Sequence, residues 1–373
     1  NKFKKNNEIM NLSDIFEKLE CREIISSRGT PTVEIELHTL IGIFRNSSPI
    51  AHRSDKKLAI ENTNSVENAL FNIRNIISKK LEKLNICINN QKELDEYLCR
   101  IDGTNSLCRL GINTILPISI ALSRAGAVAC NLSLREYYSQ LCDAKMKVPS
   151  PIFTMISKKE SYVKDRSLFE ELFGKTPINF SNVSICFERK SFGVALKEGL
   201  KFFLDLKKVL YSKFEKQFIN VSDEGSFYAP IDDLRKALEI LEETAQNHSY
   251  KDYFFTIKSD EYVNELNKYN IKFIHTNRTI NKDTLSEENS KFFLVKFDKT
   301  GTITNAIDKV SLARKEGKII VVGSSTAETE DTFLSDFAVG IGADYFYIGA
   351  PCRGERVNKF NQMLRIEEKM NEM

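Results

Sequence analysis

One lysine stands where an α/β protein usually places its chemistry. The run Phe292-Phe293-Leu294-Val295-Lys296-Phe297 is apolar apart from Lys296, and the turn Asp298-Lys299-Thr300-Gly301-Thr302 follows it at once. A helical pattern comes next, from Asn305 to Glu316. Parallel sheets and barrels carry reactive groups at the carboxyl ends of their strands, so Lys296 is the first candidate. Glu224 is a second, set in the turn Asn220-Val221-Ser222-Asp223-Glu224-Gly225. Lys258 and His275 each end a short apolar run. Taken alone, a strand-end Lys and a turn Glu are more often structural than catalytic, and a lone His is more often hydrogen-bonded than reactive. The 8 cysteines are scattered, with no C-x-x-C pair and no His at ligand spacing, which argues for reduced thiols and against zinc. The sequence contains no P-loop, no G-x-G-x-x-G and no Ser/His/Asp arrangement.

The elements that position these residues fall into two styles. Cys21 to Ile25 and Thr32 to Leu37 alternate apolar and polar around Ser27-Arg28-Gly29, which predicts a hairpin, and Ile41 to Arg45 adds a third strand. Helices are predicted at Ser65 to Lys83, Lys92 to Arg100 and Ile112 to Cys130, the last apolar on more than one face and so buried. Strands followed by helices make an α+β domain, read as residues 1–145. Over 146–373 short apolar runs alternate with helical patterns. The runs are Pro151 to Ile156, Val183 to Phe187, Phe254 to Ile257, Ile271 to His275, Phe292 to Phe297, Lys318 to Val322 and Tyr345 to Ile348. The helices between them are Phe192 to Phe214, Ile231 to Gln246, Asn305 to Glu316 and Glu330 to Val339. This is the βαβ signature of a parallel sheet, closed or open, in an α/β fold.

Composition narrows the function classes. With 373 residues, 42% hydrophobic and 28% charged, the chain is large enough for two cores and ordinary for a soluble globular protein. A net charge of +3, with both signs interspersed, gives no reason to expect nucleic acid. No apolar run reads as a membrane span, and the polar start Asn1 to Asn7 does not read as a secretory signal, so a cytoplasmic location is expected.

Six ordered motifs resemble the enolase family, phosphopyruvate hydratases. Ser27-Arg28-Gly29-Thr30-Pro31-Thr32-Val33-Glu34 resembles S-R-G-N-P-T-V-E, Gly111-Ile112-Asn113-Thr114-Ile115-Leu116 resembles G-A-N-A-I-L, and Asn220 to Gly225 resembles N-V-G-D-E-G. Leu294 to Thr302 resembles L-V-K-V-N-Q-I-G-T. Glu328-Thr329-Glu330-Asp331-Thr332 and the run Gly349-Ala350-Pro351-Cys352-Arg353 to Leu364-Arg365-Ile366-Glu367-Glu368 match the family's C-terminal region. The resemblance implies an α+β cap on a (β/α) barrel, with one barrel strand missing or disguised, and a homodimer. It also implies the conversion of 2-phosphoglycerate to phosphoenolpyruvate and water. Sites of this superfamily combine a Lys or His base with Mg²⁺ ions that stabilise an ene-diolate, and each 1.36 kcal/mol of lost stabilisation costs about tenfold in rate.

By this resemblance Lys296 stands at the position of the proton-abstracting base and Glu224 at that of the acid for the leaving hydroxyl. Other family positions are substituted. Lys258 and Thr276 fall where metal-binding carboxylates are expected, and a third carboxylate strand has no match between His248 and Tyr253, unless Phe254 to Lys258 is itself that strand. Ser324 and Ser325 replace a histidine and a phosphate-binding arginine, and Tyr347 replaces a second active-site lysine. Phe180-Ser181 stands loosely for a Q-E pair, and Ile50 to Ser54 for a mobile loop. A hard divalent cation needs charged oxygen ligands, so no cofactor is expected, with Mg²⁺ returning only if Asp260 or Glu261 rebuilds the site. The expectation is a pseudoenzyme in a binding role, as a homodimer or as the partner of an enolase subunit. The alternatives are an active divergent hydratase, and a metal-free relative acting on another small anion, with the Lys258 ammonium replacing part of the lost charge. Of the two readings of Lys258, the favoured one is a structural ion pair with Glu224 or Asp223. Glu328, Glu330 and Asp331, just ahead of a helix, read as structural groups at its N-terminus.

Overall fold

The computed structural model describes residues 10–49, 65–158, 178–216, 219–259, 264–275 and 291–372. In chain order a single helical turn (Leu12–Ile15) is followed by β1 (Phe16–Ile25), β2 (Pro31–Thr39) and β3 (Gly42–Ser47). A helical stretch follows (Ser65–Asn72 and Ser78–Leu81, joined by a π-turn at Ile73–Ile77), then α1 (Gln91–Asp102), α2 (Ile112–Ala129) and α3 (Leu134–Cys142). Next come β4 (Ser150–Ser157), β5 (Asn182–Phe187), α4 (Phe192–Lys213), β6 (Asn220–Val221), β7 (Phe227–Tyr228), α5 (Leu234–Asn247), β8 (Tyr253–Lys258) and β9 (Ile271–His275). The last are β10 (Phe292–Val295), α6 (Ile303–Lys315), β11 (Ile319–Gly323), α7 (Phe333–Gly340), β12 (Tyr345–Gly349) and α8 (Gly354–Asn371).

Two compact units share the chain. The first holds residues 1–147, 293–318 and 324–342. Its sheet is the antiparallel meander β1-β2-β3. Along β2, Val33, Ile35 and Leu37 are fully buried, while Glu34, Glu36 and His38 alternate with them on the opposite face. Helix α2 packs on β2 and β3. Its length and composition would suffice to cross a membrane, but 78% of it is buried inside the protein, so its apolar surface is used by the core. Asp95 of α1, itself buried, accepts from Ser119 Oγ of α2 at 2.6 Å and from Thr304 N and Oγ1 of α6 at 2.9 and 2.6 Å. Helix α3 starts on a capping box in which Ser133 and Glu136 satisfy each other's backbone N–H groups.

The second unit holds residues 148–292, 319–323 and 343–373. Its strands run in the order β11-β12-β4-β5-β8-β9. β11, β12 and β4 are parallel, as are β8 and β9. β5 departs from the predicted parallel sheet, because it pairs antiparallel with both β4 and β8. A short apolar run carries no directional signal, so its polarity comes only from its connections. β8 follows α5 directly and pairs with β5, so Phe254 to Lys258 occupies the place where the sequence reading left a strand unmatched. Glu367 of α8 accepts from the N–H groups of Phe192 and Gly193 at 2.6 and 2.9 Å, placing a carboxylate on the N-terminus of α4.

Candidate functional site

In the second unit, Glu224 is placed by main-chain contacts. The β6–β7 turn is held by the Ser222–Ser226 and Ser226–Ser157 hydroxyl contacts of 2.7 and 2.6 Å, and Gly225 supplies its φ of +85°. The Glu224 N–H donates to Ser222 Oγ at 3.2 Å, and its carbonyl accepts from the Ala350 N–H at 2.8 Å, just past β12. Gly349 makes this approach possible: at φ +107°, a Cβ there would lie 2.7 Å from the Glu224 carbonyl oxygen. Cys352 Sγ donates to the Gly225 carbonyl at 3.1 Å, and Arg353 Nε to that of Ser222 at 2.9 Å. The Glu224 backbone is thus fixed to the C-terminal end of β12.

Tyr347 lies on β12, two residues before Gly349, and is buried. Its hydroxyl donates to Asn182 Oδ1 at 2.8 Å and accepts from Ser184 Oγ at 3.3 Å. Asn182 and Ser184 project from the same face of β5. Burial, reinforced by the Glu224 carboxylate, holds the Tyr347 phenol well above its ordinary pKa, so it is neutral at every physiological pH. The group at position 347 is therefore a neutral O–H donor.

Lys258 ends β8 half-buried; its Cα pairs with those of Asn182 on β5 and His275 on β9, and its carbonyl accepts from the Ser181 N–H at 2.7 Å. An ammonium has no lone pair and cannot ligate a metal. Among the described residues, the one group of three or more convergent metal-ligating side chains is Glu20, Glu36 and His38, on the other unit's sheet. Thr276, Asp260, Glu261, Ile50 to Ser54 and the His275 side chain lie outside the described residues.

The first unit carries Lys296, Ser324 and Ser325. Lys296 directly follows β10, half-buried, and its carbonyl accepts from the Lys299 N–H at 3.2 Å. The strand ends one residue before the lysine, and Phe297–Lys299 forms a 3₁₀ turn. Phe297 is fixed edge-on against Phe333 and Phe337, with ring centroids 4.9 and 4.7 Å apart. Gly301 turns the chain at φ +78°, and Thr302 caps α6 by accepting from the Asn305 N–H at 3.1 Å. Ser325 is buried, and its N–H donates to Glu328 Oε1 at 2.7 Å. Asp331 accepts from Asn46 Nδ2 and Arg124 Nη2, both at 2.7 Å, and from the Phe333 N–H at 2.8 Å where α7 begins. The Glu328 and Asp331 carboxylates thus brace the segment that leads into α7.

Within one unit, then, the structure ties Tyr347 to Asn182 and Ser184 and pairs Lys258 with Asn182 in register. Sequence reasoning missed Asn182 and Ser184 as partners of Tyr347. Their spacing of two is the available signal, but it becomes informative only once the antiparallel register of β5 is known.

Comparison with known proteins adds the following. The family model described as "Enolase, N-terminal domain" matches residues 16–138, and "Enolase, C-terminal TIM barrel domain" matches 176–275 and 272–373, two stretches that meet at β9. Cytosolic enolase 3 of Arabidopsis thaliana is 30% identical, over 97% of this chain and 88% of its own. Enolase B of Dictyostelium discoideum is 27% identical, over 96% and 95%. The enolase of Methanosarcina mazei is 29% identical, over 96% and 95%. The Dictyostelium alignment spans 435 positions against a chain of 373 residues, so this chain is shortened internally.

Proposed function

Because this chain belongs to the enolase family, with the family's cap and α/β barrel domains, we propose that it has lost the phosphopyruvate hydratase reaction and serves as a binding or partner subunit. The observation that carries this reading is the neutral, fully hydrogen-bonded phenol of Tyr347 at the position of a family lysine. Lys258 supports it, because by the resemblance a cation stands there in place of an anionic ligand. By the resemblance, Lys296 and Glu224 stand at the family's base and acid positions. The partner is a second copy of this chain or an enolase subunit, in the cytoplasm.

The test is direct. Purified protein is mixed with 2-phosphoglycerate and excess Mg²⁺, and phosphoenolpyruvate formation is followed. No turnover above background is expected, and calorimetry should show no Mg²⁺ uptake at this site. Turnover that disappears in Lys296→Ala would overturn the proposal in favour of an active divergent hydratase. Turnover on another small anion without Mg²⁺, again dependent on Lys296, would assign a metal-free activity. Co-purification with an active enolase subunit separates the partner role from an independent binder.

A further inference from the structure

The polar face of the three-stranded sheet gathers a second set of chemically competent groups, unrelated to the barrel positions. Glu36 and His38 stand two residues apart on β2, and Glu20 on β1 is the register partner of Glu36. His38 Nε2 lies 3.4 Å from Glu20 Oε2 and 3.4 Å from Glu36 Oε2. Both distances exceed the usual range of an N–H···O bond. The nitrogen is shielded from solvent and has no hydrogen-bond partner in the structure. Donors bound tetrahedrally at the usual Zn–N and Zn–O lengths lie about 3.3–3.5 Å from one another, and both His–Glu pairs meet that spacing. All three donor atoms fall within 4.8 Å of one another.

The neighbouring cations use the other oxygen of each carboxylate. Lys18 binds Glu20 Oε1, while Arg22 Nη1 and Arg45 Nη2 bind Glu36 Oε1 at 3.1 and 2.6 Å. Arg22 Nη1 makes a shorter contact, 2.7 Å, with Glu34 Oε1. The Oε2 atoms of Glu20 and Glu36 are left facing the imidazole, with Arg22 Nη2 at 3.9 Å from that of Glu20. We propose that Glu20, Glu36 and His38 form a site for a divalent transition-metal ion of the Zn²⁺ class, with water as fourth ligand, clamping β1 to β2. Imidazole with carboxylate oxygen suits Zn²⁺ in preference to Mg²⁺ or Ca²⁺, which take oxygen alone. The face carries three carboxylates (Glu20, Glu34, Glu36) against three cations (Lys18, Arg22, Arg45), so with His38 neutral it has no excess negative charge. Affinity therefore rests on the imidazole and on the two directed oxygens.

The full chain is freed of metal by chelation and dialysis, then titrated with Zn²⁺ by calorimetry at neutral pH, with Co²⁺ as the spectroscopic probe. One ion per chain is expected, with intense four-coordinate Co²⁺ bands and no thiolate charge-transfer band, since the cysteines are not ligands. His38→Ala and Glu20→Gln should each weaken binding by at least about tenfold, the scale at which even outer-shell groups act. Glu20 is only partly buried, so its variant keeps the fold even if His38→Ala does not. Binding unchanged in both variants, thiolate bands, or no saturable binding would overturn the proposal and leave His38 as a packing contact between two carboxylates.

Discussion

The Tyr347 phenol has two tasks in the interior of the second unit: it donates to Asn182 and accepts from Ser184. Tyr347→Phe keeps the ring and removes both bonds, leaving buried polar groups on β5 without partners. We expect a loss of about 1–3 kcal/mol, read from urea unfolding. Glu36 sets a different dependence. Its hydrogen bonds to Arg22, then to Arg45, lower its carboxyl pKa from 4.5 to about 2. A depressed acid binds fewer protons folded than unfolded, so its contribution is complete above about 4.5 and is lost as pH falls towards 2. Glu36→Gln should flatten the stability profile across that window without changing its shape near neutrality, measured by thermal unfolding at a series of pH values. Neither effect was legible in the sequence, because each depends on which side chains the strand register sets opposite one another.

At the scale of elements, the end of β12 is tightly constrained. Gly349→Ala places a methyl 2.7 Å from the Glu224 carbonyl, at a φ of +107° that a side chain rarely adopts. The obstacle is backbone, which cannot swing aside, so the loss should be at least about 1–3 kcal/mol. Hydrogen exchange at the Ala350 amide, whose partner is that carbonyl, should accelerate in the variant. Much of the element pattern was legible: helices predicted at Lys92 to Arg100 and Ile112 to Cys130 are seen at Gln91–Asp102 and Ile112–Ala129. Periodicity of 3.6 and strict alternation both survive packing, and they carried those readings. Helix α3 was missed although its capping box, Ser133 with Glu136, was present in the sequence. The direction of β5 and the 3₁₀ turn after Lys296 left no trace, since short apolar runs encode neither polarity nor the tightness of a turn.

For the whole molecule, the way the chain is divided matters more than its length. The sequence suggests a boundary near residue 145, whereas the compact units interleave: 293–318 and 324–342 belong with 1–147. Helix α6 reaches Asp95 and Ser119 through Thr304 and Ile303, and Asp331 reaches Arg124. Tyr138 and Phe337 pack edge to face at 5.3 Å. A fragment of residues 148–373 would carry α6 and α7 without these partners. Expressed alone, it should bind a hydrophobic dye and lack the cooperative thermal transition of the full chain. Supplying residues 1–147 in trans should restore that transition if the interleaved contacts are responsible.

That interleaving also sets a timetable during synthesis. The strands and helices of residues 1–147 leave the ribosome first, but their unit is complete only when Gly342 has been made, 195 residues later (342 − 147). At roughly 5–20 residues per second the wait is about 10–40 s. Throughout it, the apolar flank of α2 and the buried ring of Tyr138 lack their later companions. A nascent chain of this design is exposed to chaperone capture throughout that interval, and its first unit closes only when residues 324–342 arrive.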